Sequence, residues 1–297
     1  MGLKIEWIDP RGKVWDLTDG TDGVLLDVGQ SDFTLSPIKH NYLRGGTQWA
    51  GSQVQQAEPS LKVLVGETGG GQPLIGTPYY TLADEWWTQA NSPTLEGTLR
   101  VTRPDGEVRE LRARLRDSPG TTYDYDPGAG IAERDGEAWL LTSPSSYWSG
   151  PEQSVMFGGD SIENGMPFYG PDGNGWPLYI APASSASNIF ISNRGQGSVW
   201  LTWTLVGPMV NPRFGTEGGV LSYAGTIPAG EVVVVSTEPG YRYAIEAGSG
   251  DNRYGKLSGV YAPLPTGDRV PLTIVAEGMT SESSVTVTTR ELFARPF

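Results

Sequence analysis

Four short runs of β-branched and aromatic residues dominate the last third of the chain: Val199 to Val206, Glu231 to Ser236, Pro271 to Ala276 and Ser284 to Thr288. Each has strand length, alternates apolar with polar positions or is continuously β-branched, and is bounded by Gly and Pro. Alternation hides one face of a pleated ribbon and leaves the other to water. Several such ribbons bury their apolar faces most readily against one another, which predicts an antiparallel β-sandwich.

A chain of 297 residues has room for two ordinary domains, or for one large all-β domain, and the two-domain reading fits the pattern better. With 41 Gly, 23 Pro, 37% hydrophobic and 19% charged residues, the composition is that of a folded, turn-rich protein. The net charge of −13 works against capture of nucleic acid, which needs clustered Lys and Arg. It suits solubility, or a surface past which DNA must slide without adhering. The sequence has no cysteine, which removes disulfides, thiolate nucleophiles and Cys-ligated zinc. His40 is the single histidine and lies in Ser36-Pro-Ile-Lys-His-Asn-Tyr42, a strand end or loop without a neighbouring motif. It reads as a hydrogen-bonded surface or interface residue, not as a catalytic base. The first residues carry no signal-peptide core and no run reaches transmembrane length, so a soluble compartment or a soluble particle is expected, without membrane insertion.

The N-terminal half also reads as β structure. Leu3 to Ile8 and Lys13 to Leu17 flank Asp9-Pro-Arg-Gly12 as a hairpin, and Gly23 to Val28, Asp32 to Leu35 and Leu61 to Val65 have strand character. Between them Arg44 to Ser60 is polar and Gln-rich, a long loop or arm containing Trp49 and Gln53. One helix is predicted over 81–91, with Thr81 as its cap, Asp84 and Glu85 near the positive end of its dipole, and Leu82, Ala83, Trp86 and Ala90 on one face. Thr98 to Thr102 and Val108 to Leu111 flank Arg103-Pro-Asp-Gly106 as a second hairpin. In Arg112-Ala-Arg-Leu-Arg116 the three arginines share one strand face and read as ion-pairing groups at a subunit edge.

From Asp117 to Gly136 the pattern breaks into turns, resumes at Ala138 to Leu141, and breaks again at Thr142 to Pro151. The second break sets a boundary between residues 143 and 144, giving an N-terminal β domain over 1–143 and a C-terminal sandwich over 144–297. Gly66 to Gln72 is rich in glycine but lacks the Lys-Ser/Thr ending of a phosphate loop, and reads as a turn. Asp124 and Asp126 sit too close along a loop to define a catalytic carboxylate separation. Asp172 and Asn174 are spaced as in a calcium loop whose other ligands are missing. No catalytic, cofactor-binding or metal-binding set is assigned, and the chain is not read as an enzyme.

The order of turns and strands in the C-terminal half resembles the distal tail proteins of long-tailed bacteriophages (siphophages), here with an actinobacterial host expected. The resemblance rests on Tyr147-Trp-Ser-Gly-Pro151, Asn193-Arg-Gly195, Trp200 to Val206, Gly207-Pro-Met-Val-Asn-Pro212, Gly218 to Leu221, Ile227 to Val235, Gly250-Asp-Asn252, Leu264-Pro-Thr-Gly267 and Val285 to Arg290. The N-terminal half is similar only in architecture. The resemblance implies an N-terminal β-sandwich or split barrel that forms a hexameric ring at the tail tip, and a galectin-like C-terminal sandwich outside it. It implies contacts with the tail tube, tape-measure and baseplate-hub proteins and with receptor-binding or fibre proteins, and DNA passing through the ring without specific binding. Such a protein belongs to the virion and is assembled in the cytoplasm of the bacterial host. On this reading Arg112, Arg114, Arg116, Trp49 and Gln53 are candidate ring contacts. Asp251-Asn252 suits a turn that needs a left-handed residue.

A carbohydrate-binding module or glycoside hydrolase is the alternative, because a β-sandwich rich in aromatics can stack sugars. Trp148, Trp176 and Tyr179 are the candidate partner or glycan contacts, with Trp200 and Trp203 next; the last two lie three apart on a strand and therefore face opposite ways.

Overall fold

The computed structural model describes residues 2–30, 33, 37–43, 48–70, 72–117, 126–129, 136–158, 184–186 and 189–297. The chain is mostly β, built from antiparallel sheets, and divides into two compact units: Met1–Pro151 with Phe293–Phe297, and Glu152–Leu292.

In the first unit β1 (Lys4–Ile8) pairs with β2 (Val14–Asp16) and β7 (Gly97–Thr102), and β7 pairs with the long β8 (Val108–Asp117). Beyond Ala113 the same β8 pairs with β9 (Glu137–Thr142), which continues through β6 (Ser60–Val65) to β3 (Val24–Leu26). A register shift between Leu115 and Asp117 leaves Arg116 as the extra residue of a bulge, the usual device for re-aiming a strand between two sheets. The inward positions of both sheets meet in one core: Trp7, Leu99, Val101 and Leu111 from one, Val24, Leu61, Val63, Trp139 and Leu141 from the other. β4 (Ile38–Tyr42) and β5 (Trp49–Val54) form a hairpin of their own. The run 44–60, expected as a loop or arm, therefore contains a strand; among the described residues its partner is β4.

The helix α1 spans Thr77–Glu85 and passes into a wider turn over Trp86–Ala90, so it starts four residues before the expected Thr81. Gly76, at φ 61°, ends the incoming chain, and Pro78 in the first turn supplies a helical φ without losing a needed N–H. Thr81 is a second-turn residue whose hydroxyl donates to the Thr77 carbonyl at 3.0 Å. Asp84 and Glu85 consequently lie at the C-terminal end of α1, not beside its positive pole. Its inward face is as expected: Trp86 and Ala90 are buried, Leu82 and Ala83 pack against the core, and Trp86 meets Trp15 and Trp139 edge-on at 5.2 and 5.6 Å. Trp7 donates its indole N–H to the Ala90 carbonyl at 2.7 Å, which ties the end of this segment to β1.

β10 (Trp148–Gly158) begins in the first unit, where Ser149 pairs with Glu110, and its later part belongs to the second. There it neighbours β21 (Ser284–Phe293), followed across one sheet by β13 (Thr202–Val206), β17 (Val232–Ser236) and β18 (Tyr243–Glu246). The opposing sheet centres on β20 (Gly267–Glu277) and β14 (Met209–Thr216). β11 (Ser184–Ala186) and β12 (Phe190–Asn193) lie on one side; β15 (Gly219–Tyr223) and β19 (Leu257–Gly259) extend the other, with β16 (Thr226–Ile227) on β14. Trp203, Leu205, Val233, Val235, Val285 and Val287 face Phe214, Leu221, Leu272 and Ile274 across this sandwich. The four runs that opened the sequence reading are β13, β17, β20 and β21, and their alternation is the alternation of buried and outward side chains. The left-handed residue at the 250–252 turn is Gly250, at φ 76°, not Asp251 or Asn252.

Candidate assembly interface

The β4–β5 hairpin is the most exposed element of the first unit. Ile38, Tyr42, Leu43 and Trp49 are each more than half exposed, with Trp49 at 62%. Register runs Ile38 with Val54, Lys39 with Gln53 and His40 with Ser52, then shifts so that Tyr42 faces Trp49. The Ser52 hydroxyl lies 2.8 Å from His40 Nδ1 and accepts the Trp49 indole N–H at 3.2 Å, so these three side chains share one face. His40 is thus an exposed strand residue held by a serine. Gln53 lies opposite Lys39 and is exposed. The hairpin base is tied down by Gln55 N–H to the Pro37 carbonyl at 2.7 Å and by Ser146 Oγ to the Val54 carbonyl at 3.3 Å. A two-stranded hairpin buries too little to be stable alone, so its exposed apolar side chains favour a covering partner.

The arginines of β8 are engaged within the chain. Arg112 meets Glu96 at 2.6 Å and Arg114 meets the same carboxylate at 3.7 Å, which puts both on one face. Arg116, displaced by the bulge, reaches Glu58 at 2.6 Å. β8 pairs with β7 up to Ala113 and with β9 beyond it, and the three arginines, expected as ion-pairing groups at a subunit edge, form their ion pairs here with carboxylates of the same chain. Exposed pairs of this kind contribute about 0–1 kcal/mol each and can be exchanged for partners on another surface.

Trp148, expected as a partner or glycan contact, is 1% exposed and belongs to the core of the first unit, where its ring lies 6.0 Å from Phe33. A buried indole contacts neither partner nor sugar. Its place in a Ser/Tyr/Gly/Pro-rich stretch masked it as a loop residue, whereas Trp148 opens β10, which runs on through Pro151. Trp176 and Tyr179 lie outside the described residues, as do Asp124, Asp172, Asn174 and most of the strand expected at 32–35.

Asp126 accepts the hydroxyl of Tyr80 and the backbone N–H of Gly128, and these bonds hold its carboxyl below the usual range. That is a turn-fixing arrangement. Among the described residues no group of three or more His, Cys, Asp or Glu is placed to hold a metal ion, and no helix is long and apolar enough to cross a membrane.

No protein-family model matches the sequence, and no curated protein matches it. Among solved structures, the Dit protein of phage SPP1, described as a paradigm of the hub adsorption apparatus in phages infecting Gram-positive hosts, is similar at a TM-score of 0.59 and 12% identity. The likeness covers 99% of this chain and 100% of that one. A chain of the phage P2 baseplate, solved in its activated conformation with Ca, is similar at a TM-score of 0.52 and 12% identity, over 98% of both. Neither description names an actinobacterial host. What is shared is the fold, along the whole length of each chain.

Proposed function

We propose that this chain is a structural protein of the virion: a distal tail protein of a long-tailed phage, located at the tail tip and joining the tail tube to the baseplate or adsorption apparatus. The observation that carries the reading is the likeness in fold to a Dit protein over both units of the chain, not over a single sandwich. On this reading the first unit forms a ring, a hexamer, by a head-to-tail contact in which the β4–β5 hairpin of one copy lies on its neighbour. Ile38, Tyr42 and Trp49 supply the apolar part of that contact, Gln53 its polar rim, and Arg112, Arg114 and Arg116 exchange Glu96 and Glu58 for carboxylates of the adjacent copy. The net charge of −13 suits a passage that DNA traverses without binding. The second unit, a sandwich of galectin-like type, carries receptor-binding or fibre proteins, while the tube, tape-measure and hub proteins meet the ring. Assembly takes place in the cytoplasm of the bacterial host, and no enzymatic activity is assigned.

The reading is tested on particles. Antibody raised against the purified chain is expected to label the tail tip of phage carrying its gene, with six copies per virion by quantitative mass spectrometry. Absence of the chain from purified virions sinks the proposal.

A further inference from the structure

The second unit carries a recess that the assembly reading does not use. It has a volume of about 300 Å³, is open to solvent, and is lined by Trp200, Glu152, Glu238, Arg290, Thr202 and Thr288 among others. The size is at the lower end of about 300–1,000 Å³ for small-molecule sites. Its residues come from four neighbouring segments of one sheet face. Glu152 lies on β10, Thr288 and Arg290 on β21, Thr202 on β13 directly opposite Thr288, and Glu238 two residues past β17. Thr202 and Thr288 occupy outward positions between the buried residues of their strands.

The recess is held by buried polar bonds. Thr237 is 3% exposed; its hydroxyl donates to the Leu201 carbonyl at 2.7 Å and accepts the Leu201 N–H at 3.0 Å. This clamp fixes Trp200 and Glu238, the residues flanking it, side by side. Thr289, itself buried, approaches the Trp200 carbonyl at 3.5 Å, and the Arg242 guanidinium stands 6.0 Å from the indole ring. These bonds hold the backbone on which the half-buried indole stands.

We infer that this recess is a saccharide-binding site for a neutral or amino sugar. An indole wall packs against the C–H face of a pyranose, and the carboxylates of Glu152 and Glu238 accept hydrogen bonds from its hydroxyls. The Arg290 guanidinium donates, and the threonine hydroxyls do either. Glu152 and Glu238 face Arg290 along the lining, with the Arg242 guanidinium beside the indole, so the recess carries no excess of positive charge to draw uronates, phosphates or nucleic acid. The recess is too small to seat a protein side of ordinary interface size. This inference stands independently of the tail-tip reading.

The purified full-length chain is titrated, by calorimetry and ligand-observed NMR, with neutral, amino and acidic mono- and oligosaccharides. At least one neutral or amino sugar binds, more tightly than its uronic-acid counterpart. Its affinity falls about tenfold in Glu238→Gln, which removes a charge-assisted acceptor, and at least as far in Trp200→Ala. Val260→Ser, one residue past β19 and bonded through its N–H to the Val220 carbonyl of the opposing sheet, binds as the unaltered chain does. Glu238 is exposed, so its variant folds even if Trp200→Ala does not. The inference is overturned if no sugar of the panel binds, if acidic sugars bind best, or if Glu238→Gln binds undiminished.

Discussion

Glu291 shows how a single ionisable side chain is used structurally. It is 1% exposed, yet burial, the strongest influence on it, does not win. The Arg194 backbone N–H at 2.7 Å, the Arg194 guanidinium at 3.3 Å and a bond from Gln153 together hold its carboxyl below the ordinary value of 4.5. Because the folded value is depressed, the stabilisation is present above pH 4.5 and is lost as pH falls through the lower folded value. Glu291→Gln is expected to melt lower at neutral pH, by about 2 kcal/mol in stability, with the gap closing as the two proteins are titrated below pH 4.5. A gap independent of pH refutes the assignment. Gly97 is a steric case: a Cβ there would sit 2.5 Å from the Trp7 ring and 2.6 Å from the Ile8 carbonyl. Gly97→Ala is expected to lose about 1–3 kcal/mol in chemical denaturation through overpacking, and an unchanged midpoint contradicts the packing described for β1 and β7.

At the scale of elements, legibility followed burial. β6, β7, β13 and β21 alternate buried and outward residues along their length, and that alternation is visible in the sequence. The β4–β5 hairpin leaves almost every residue exposed, so it has no buried face to impose a pattern, and its strand β5 reads as a polar loop. The start of α1 was displaced for a different reason: Gly76-Thr-Pro78 is a valid turn and equally a valid helix entry, and tertiary contact between Tyr79 and the core decides for the helix. The exposure of the hairpin also makes it the element whose alteration separates association from folding. Replacing Tyr42 and Trp49 together with Ser is expected to leave the circular dichroism and melting of the chain within about 0.5 kcal/mol of the unaltered protein, as surface substitutions do. Self-association read by sedimentation velocity is expected to weaken at least tenfold. If the double variant assembles normally, the proposed ring contact does not run through the hairpin.

At the scale of the whole chain, the least legible feature is a return in sequence. The last residues, Phe293–Phe297, belong to the first unit although they follow directly on a strand whose other residues belong to the second. Among the contacts that hold them, the Arg109 guanidinium lies 3.8 Å over the Phe293 ring and donates to the Arg295 carbonyl at 2.6 Å, and Phe297 stacks on Phe33 at 6.5 Å. Nothing local in Arg290 to Phe297 announces this, because the partners lie nearly 200 positions earlier, as in the 186-residue separation of the Arg109 bond. Arg109 itself, an 8% exposed cation in β8, also meets Glu107 at 3.1 Å. Ending the chain after Leu292 therefore removes a buried phenyl ring and one acceptor of a buried guanidinium together. Charge-assisted bonds and core aromatics each contribute about 2–4 kcal/mol. Hydrogen exchange followed by mass spectrometry is expected to show faster exchange in β1, β7 and β8 of the truncated chain, while β14, β15 and β17 exchange at their original rates. Acceleration spread equally through both units, or absent from the first, would show that these five residues do not complete its core.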